Sequence, residues 1–175
     1  MREVSKINWP DNAKIAVSIV VNVEEGSEMS IREPEDKGME PVDELGVFVK
    51  KQIRNYGNES NYQYGINAGF PRVAYLLDKY NINATWTVCA LSLERAPNIA
   101  RYISERDHEA CSHGYRWIHQ FRLNEDQERE FIKKAVDSIA KTTGSRPYGW
   151  LSRYLLTDNT RKLLSEEGFI YHMDD

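Results

Sequence analysis

The sequence predicts an α/β fold built on a parallel sheet, and three observations carry that reading. Residues 15–23 (Ile-Ala-Val-Ser-Ile-Val-Val-Asn-Val) form a nearly unbroken β-branched run, which suits a parallel strand covered on both faces. A second run, residues 82–90, follows a stretch with helical periodicity, and the alternation continues to the end. Strands alternating with helices imply parallel βα units with right-handed crossovers. The composition, 41% apolar and 29% charged over 175 residues, is that of a folded chain with one packed core.

The elements follow in order. The first strand ends at Glu24-Glu25-Gly26, and the acidic stretch 24–44, with Pro34, Gly38 and Pro41, predicts a long loop. That loop is either a solvated connection or a cover over substrate. From Phe70, the residues Val73, Leu76, Leu77 and Tyr80 recur at helical spacing, with Pro71 where a first turn tolerates it. Residues 82–90 make the next strand, and a helix opening near Pro97 packs with Ile99, Ala100 and Ile103. A short strand fits Glu109–Ser112. Asn124 caps a helix whose stripe is Phe131, Ile132, Ala135, Val136 and Ile139, and Gly144 ends it. Thr157 caps a last helix through Leu163 and Leu164, Gly168 closes it, and residues 169–172 form a further strand. Trp86 and Trp150 belong to the core. Four strands cannot close a barrel, since a complete βα barrel takes on the order of 250 residues. The expectation is therefore a partial sheet that further chain or another segment completes, with a self-sufficient open sheet as the alternative.

Composition also excludes classes of partner. A net charge of −4, a pI near 5.7 and no basic stripe argue against nucleic acid. No apolar run reaches membrane-spanning length and the first residues hold no apolar signal region, which predicts a cytoplasmic protein without a membrane partner. Cys89 and Cys111 are too few for a disulfide framework and lack paired metal spacing, so both are expected reduced and buried.

Reactive groups in parallel α/β folds collect in the loops after the strands, and Glu24, Glu25 and His113 each follow one. Desolvation and like-charge repulsion at such a place push a carboxyl group toward the range useful to a base. Taken alone, the two glutamates also fit the start of an acidic loop, and His113 also fits a hydrogen-bonded core residue, although His108 suits that role better. Together, a carboxylate pair and an imidazole at strand ends of one sheet are what water-driven cleavage of an amide or ureide requires. The carboxylate takes a proton from water and the imidazole gives one to the departing nitrogen.

The motifs around these residues resemble those of the polysaccharide deacetylase (NodB homology) superfamily. Asp107-His108-Glu109-Ala110-Cys111-Ser112-His113 is similar to the family's Gly-His-Glu-Ile-Gly-x-His, and Val23-Glu24-Glu25-Gly26 to its Phe-Asp-Asp-Gly. Ala84-Thr85-Trp86-Thr87-Val88 resembles Ala-Thr-Phe-Phe-Val, and Thr143-Gly144 through Pro147 resembles Thr-Gly-x-x-Pro, in family order across nearly all of the chain. More specific is the likeness of Asn22-Val23-Glu24-Glu25-Gly26, Glu59-Ser60-x-Tyr62-x-Tyr64-Gly65, Ala68-Gly69-Phe70 and His113-Gly114-Tyr115-Arg116-Trp117 to the subgroup containing the bacterial metal-independent allantoinases.

The resemblance implies an incomplete (β/α) barrel of the NodB type, with residues 1–175 as one catalytic domain truncated at its C-terminus. It implies hydrolysis of a carbon–nitrogen bond other than a peptide bond, on an N-acetyl sugar or a cyclic ureide such as allantoin. Glu24 matches the family's base position and Glu25 its metal-binding carboxylate, roles that a one-residue register shift exchanges. His113 matches the first metal-binding histidine. The second falls at 117, where this chain has Trp117, and His119 substitutes only if a turn brings its imidazole to the same ion. Glu25 and His113 alone would hold a metal weakly, because a catalytic zinc takes three protein ligands. No cofactor is therefore expected, and a zinc held by Glu25, His113 and His119 is the alternative. Arg116, Trp117 and Arg153 are candidate substrate-binding residues, an Arg fork suiting a carboxylate or ureide carbonyl; surface pairing and core packing are their other readings. The expected partner is a small-molecule or sugar substrate, with a homo-oligomer left open. The competing class is a binding or assembly module that kept the fold without the chemistry.

Overall fold

A computed structural model describes residues 8–33, 46 and 53–174. Its centre is a five-stranded parallel sheet in sequence order: β1 (Val20–Val23), β2 (Thr85–Val88), β3 (Glu109–Ser112), β4 (Gly149–Trp150) and β5 (Tyr171–His172). The helices are α1 (Tyr56–Tyr64), continuing through a π-helical turn at Gly65–Gly69 into α2 (Phe70–Tyr80), then α3 (Ala90–Arg95), α4 (Pro97–Glu105), α5 (Glu125–Thr143) and α6 (Thr160–Glu167). Residues 34–44 of the acidic stretch lie outside the described residues. Among the described residues no helix is long and apolar enough to cross a membrane.

The sheet's register sorts its side chains into two faces, because successive residues of a strand point to opposite sides. Val21, Trp86 and Ala110 stand in one row and Val23, Val88, Ser112 and Trp150 in the next. Their apolar members join Leu77, Leu93, Ile99, Ile132, Ile139 and Leu163 in the core under the helices. The opposite face is polar. Thr85 and Tyr171 both donate to the Glu109 carboxylate, at 2.8 Å and 2.6 Å, and Thr87 donates to Asn22 Oδ1 at 2.5 Å. Coverage on both faces by apolar packing, expected from the β-branched run, is therefore realised on one face only.

Five strands stand where the apolar pattern predicts four. The additional one, β4, has only two residues and opens on a glycine, so it carries no alternation to read. Gly149 is required there because a Cβ would collide with the ring of Tyr171 on the neighbouring strand. Strand β1 is shorter than its apolar run. It lies at the sheet's edge and pairs only with the four residues of β2, which leaves Ile15 and Val17 exposed by 72% and 75%. α5 follows its sequence signal closely: Asn124 and Gln127 form a reciprocal capping box and Gly144 ends the helix in the left-handed conformation. Asn159, rather than Thr157, occupies the N-cap of α6. Thr157 instead donates to the Glu128 carboxylate from α5 and accepts from the Asn159 amide.

Burial sets the chemistry of three further side chains. Cys89 and Cys111 are free and fully buried, and desolvation pushes the Cys111 thiol up to about 12 and raises Cys89 as well. The thiolate is the reactive form, so a disulfide thiol reagent at pH 8 is expected to label neither cysteine in the native protein and both in denaturant; fast native labelling would contradict the packing. His108 accepts a hydrogen bond from the Ala84 amide at 3.2 Å through Nδ1, and burial holds its pKa below the usual 6.5. A depressed folded-state pKa means that the unfolded chain binds the proton more readily. Its stabilising contribution is thus present above pH 6.5 and lost as pH falls through the folded value. The melting temperature should drop across that acid window, and His108→Gln should flatten the dependence; an identical profile in the variant would exclude this cause.

Candidate active site

The polar face of the sheet continues one residue past the strand ends and there carries its reactive groups. Cys89, His113 and Leu151 each extend the ladder by one rung, their amides donating to the carbonyls of Val23, Val88 and Ser112 respectively. Alternation puts Glu24 on the same side as Asn22, and His113 on the same side as Cys111. Glu24 and His113 accordingly meet, with Glu24 Oε1 3.4 Å from His113 Nε2. Asn22 Nδ2 donates to the same Glu24 oxygen at 3.1 Å and fixes its position.

The tautomer of His113 is set by its other nitrogen. Nδ1 lies 2.7 Å from the Leu151 carbonyl, which can only accept, so Nδ1 carries a proton. Nε2 is left facing Glu24, buried and without a hydrogen-bond partner. The imidazole is 3% exposed and Trp117 packs against it edge to face, with ring centroids 4.8 Å apart. These residues lie on a cleft of about 600 Å³ whose lining also includes Asn22, Ser152, Tyr154, Leu155, Arg161 and Asp174. The volume is in the range of small-ligand sites. Tyr154 stands on this lining with a φ of 63° and its side chain exposed. A bulky residue in that region costs on the order of 1–3 kcal/mol, a strain found at ligand-facing positions.

Glu25 takes a different direction. Ser27 donates its amide to the Glu24 carbonyl at 3.1 Å and Gly26 has a φ of 85°. Glu24-Glu25-Gly26-Ser27 is thus a tight turn whose third position needs glycine. Glu25, at the second position, swings away from the cleft, accepts from the Glu24 amide at 3.1 Å and lies against Gly65, where a Cβ would not fit. Burial raises its pKa above 4.5. Arg116 also serves the turn: its guanidinium donates to the carbonyls of Ser27 and Glu28 at 3.2 Å and 3.0 Å. Arg153 is 5% exposed, donates to the Trp117 carbonyl at 2.9 Å and stacks 4.4 Å from the centre of that indole. Glu25, Arg116 and Arg153 do not line the cleft, whereas Glu24, His113 and Trp117 do.

Among the described residues, the expected donors do not gather into a three-ligand metal centre. His119 packs against Phe121 and Tyr154, with ring centroids 5.2 Å and 5.9 Å away. An indole fills position 117, Glu25 is turned aside, and among the described residues no three His, Cys, Asp or Glu side chains converge. A catalytic zinc takes three protein ligands, so Glu24 and His113 alone fall short.

Sequence reasoning passed over Asn22, Tyr154, Arg161 and Asp174 as lining residues. Asn22 had a readable signal, since it stands two residues before Glu24 and period two puts both on one face. The others depend on how the chain after β4 and β5 folds back over the sheet.

Comparisons with known proteins show what the whole chain is similar to. A polysaccharide deacetylase family model matches residues 60–171. A Schizosaccharomyces pombe protein assigned to the polysaccharide deacetylases is 36% identical over 163 residues, 90% of this chain and 50% of that protein. A Helicobacter pylori peptidoglycan deacetylase is 32% identical over 126 residues, 68% of this chain and 43% of that one. The solved structure of PuuE allantoinase matches with a TM-score of 0.86 at 38% identity, covering 95% of this chain and 56% of that one. The chain spans about half the length of the curated relatives it matches.

Proposed function

The chain belongs to the polysaccharide deacetylase family, and from that membership we propose that its cleft hydrolyses a carbon–nitrogen bond other than a peptide bond. The observation that carries the proposal is the contact of Glu24 Oε1 with His113 Nε2 at 3.4 Å on the cleft wall. In this reading Glu24 takes a proton from water as the water oxygen bonds to the substrate carbonyl carbon. Collapse of the tetrahedral intermediate breaks the carbon–nitrogen bond, and His113, protonated on Nε2, gives that proton to the departing nitrogen. Glu24 then returns the proton it took from water to His113 across the gap between them, which restores both groups. The Leu151 carbonyl keeps Nδ1 protonated throughout, so Nε2 is the nitrogen that exchanges protons.

Two substrate classes draw support. The likeness to an allantoinase at 38% identity favours a cyclic ureide, and the likeness to a peptidoglycan deacetylase at 32% favours an N-acetyl sugar. Assays of the full-length protein on allantoin and on N-acetylglucosamine oligomers separate them, and turnover of neither removes the substrate assignment. Among the described residues Glu24 and His113 converge where zinc takes three ligands, so this reading needs no metal. Chelation with EDTA is expected to leave activity unchanged; a loss that added zinc restores would overturn the metal-free reading.

A further inference from the structure

We infer that Arg161 makes the cleft selective for substrates that carry a carboxylate in addition to the scissile carbon–nitrogen bond, an inference that rests on the hydrolase reading of the same cleft. Among the described lining residues, Arg161 is the one with a permanent positive charge. Arg116, Arg153 and Lys162 each have a structural use. Arg116 is spent on the carbonyls of Ser27 and Glu28 at the turn, and Arg153 on the Trp117 carbonyl and ring. Lys162, the next residue, pairs with Glu125 of α5 at 3.0 Å. Arg161 has no hydrogen bond or ion pair with any described residue, and its side chain borders the cleft. An unpaired guanidinium keeps its planar fork of donors available for a carboxylate.

The surroundings give the charge direction. Arg161 is the second residue of α6, whose first turn has no side-chain cap from Asn159. The buried Glu128 carboxylate, bonded to Thr160, already offsets the positive end of this helix, so the attraction for an anion comes from the guanidinium itself. Thr160 and Thr157, bonded to the buried Glu128 carboxylate, fix where α6 begins. Glu24 and Asp174 put negative groups elsewhere on the lining, and the unpartnered Nε2 of the buried His113 faces the same space. A carboxylate is repelled by Glu24 and Asp174 and attracted by Arg161. It binds in one orientation, which leaves the neutral carbonyl of the scissile group beside Glu24.

Matched ligand pairs test this: N-acetylmuramic acid against N-acetylglucosamine, and N-carbamoylglycine against its amide. Each pair differs in a carboxylate. Calorimetric binding and kcat/KM are measured on the full-length wild type, Arg161→Gln and Arg161→Lys. Arg161 is exposed and unpaired among the described residues, so both variants should keep the wild-type melting temperature. The wild type is expected to prefer the anionic member of at least one pair by about tenfold, the scale of one charge-assisted contact. Arg161→Gln should erase that preference and Arg161→Lys should keep part of it. Equal binding within both pairs, binding of neither member of either pair, or a preference that survives in Arg161→Gln would overturn the inference. Turnover is read independently: a protein that cleaves a carbon–nitrogen bond without anion preference loses only the role of Arg161, whereas binding with no turnover of any ligand counts against the hydrolase reading.

Discussion

Glu24→Gln lowers kcat by about 10²–10⁴-fold, the range attributable to a positioned general base, with little change in KM. The substitution keeps the side chain's size, and Glu24 is partly exposed, so it removes the charge without opening a cavity. The turn that carries it is held by the Ser27 amide, the Gly26 conformation and the Arg116 bonds, none of which uses the Glu24 carboxylate. In the variant, Asn22 can still donate to the side-chain amide oxygen that takes the place of Glu24 Oε1. A uniform loss of binding would appear in KM, whereas loss of an interaction made in the transition state appears in kcat. Steady-state kinetics with a parallel melting curve checks this, and unchanged kcat would remove Glu24 from the chemistry.

Glu128→Ala costs about 3 kcal/mol or more, because it leaves buried donors without an acceptor at roughly 1–3 kcal/mol each. Glu128 is fully buried, and its carboxylate accepts from Gln120 Nε2 at 2.6 Å and from the hydroxyls of Thr157 and Thr160 at 2.5 Å. It joins α5 to the start of α6 and to the short 3-10 turn Gln120–Arg122. The segment that lines the cleft, from Leu151 to Arg161, is anchored at this point. A drop in melting temperature of roughly 6–12 °C is expected for a chain of this size. Glu128→Gln should lose less, since its amide oxygen still accepts and threonine hydroxyls can turn to accept from its NH₂. A shift within experimental scatter for Glu128→Ala would mean that the network holds nothing in place.

Much of this was legible where the sequence repeats a physical period. Glu109–Ser112 is a strand over the residues expected for it, and α5 starts and ends on its capping residues. Trp86 and Trp150 are buried as their apolar settings indicate. Glu128 could have been found as well, because it stands four residues before Ile132 on the buried stripe of α5. α1 gave no such signal: Tyr56–Tyr64 is polar and buries only Tyr62, so tertiary contact rather than an apolar face holds it. Period two puts Glu24 on the cleft side with Asn22, but the direction of Glu25 was beyond strand periodicity, since the chain enters a turn at Glu24. Which arginine faces the cleft was equally hidden, because Arg116 and Arg153 find carbonyls supplied by distant segments while Arg161 finds none among the described residues.

The central claim is that Glu24 and His113 act as one proton-exchanging pair. The most direct measurement is the kcat/KM of the Glu24→Gln/His113→Ala double variant beside each single variant, on whichever substrate the wild type cleaves. Groups that act as a unit are non-additive, so the double variant is predicted to be no slower than the more impaired single. Losses that multiply, each variant contributing its own independent factor, would contradict the account.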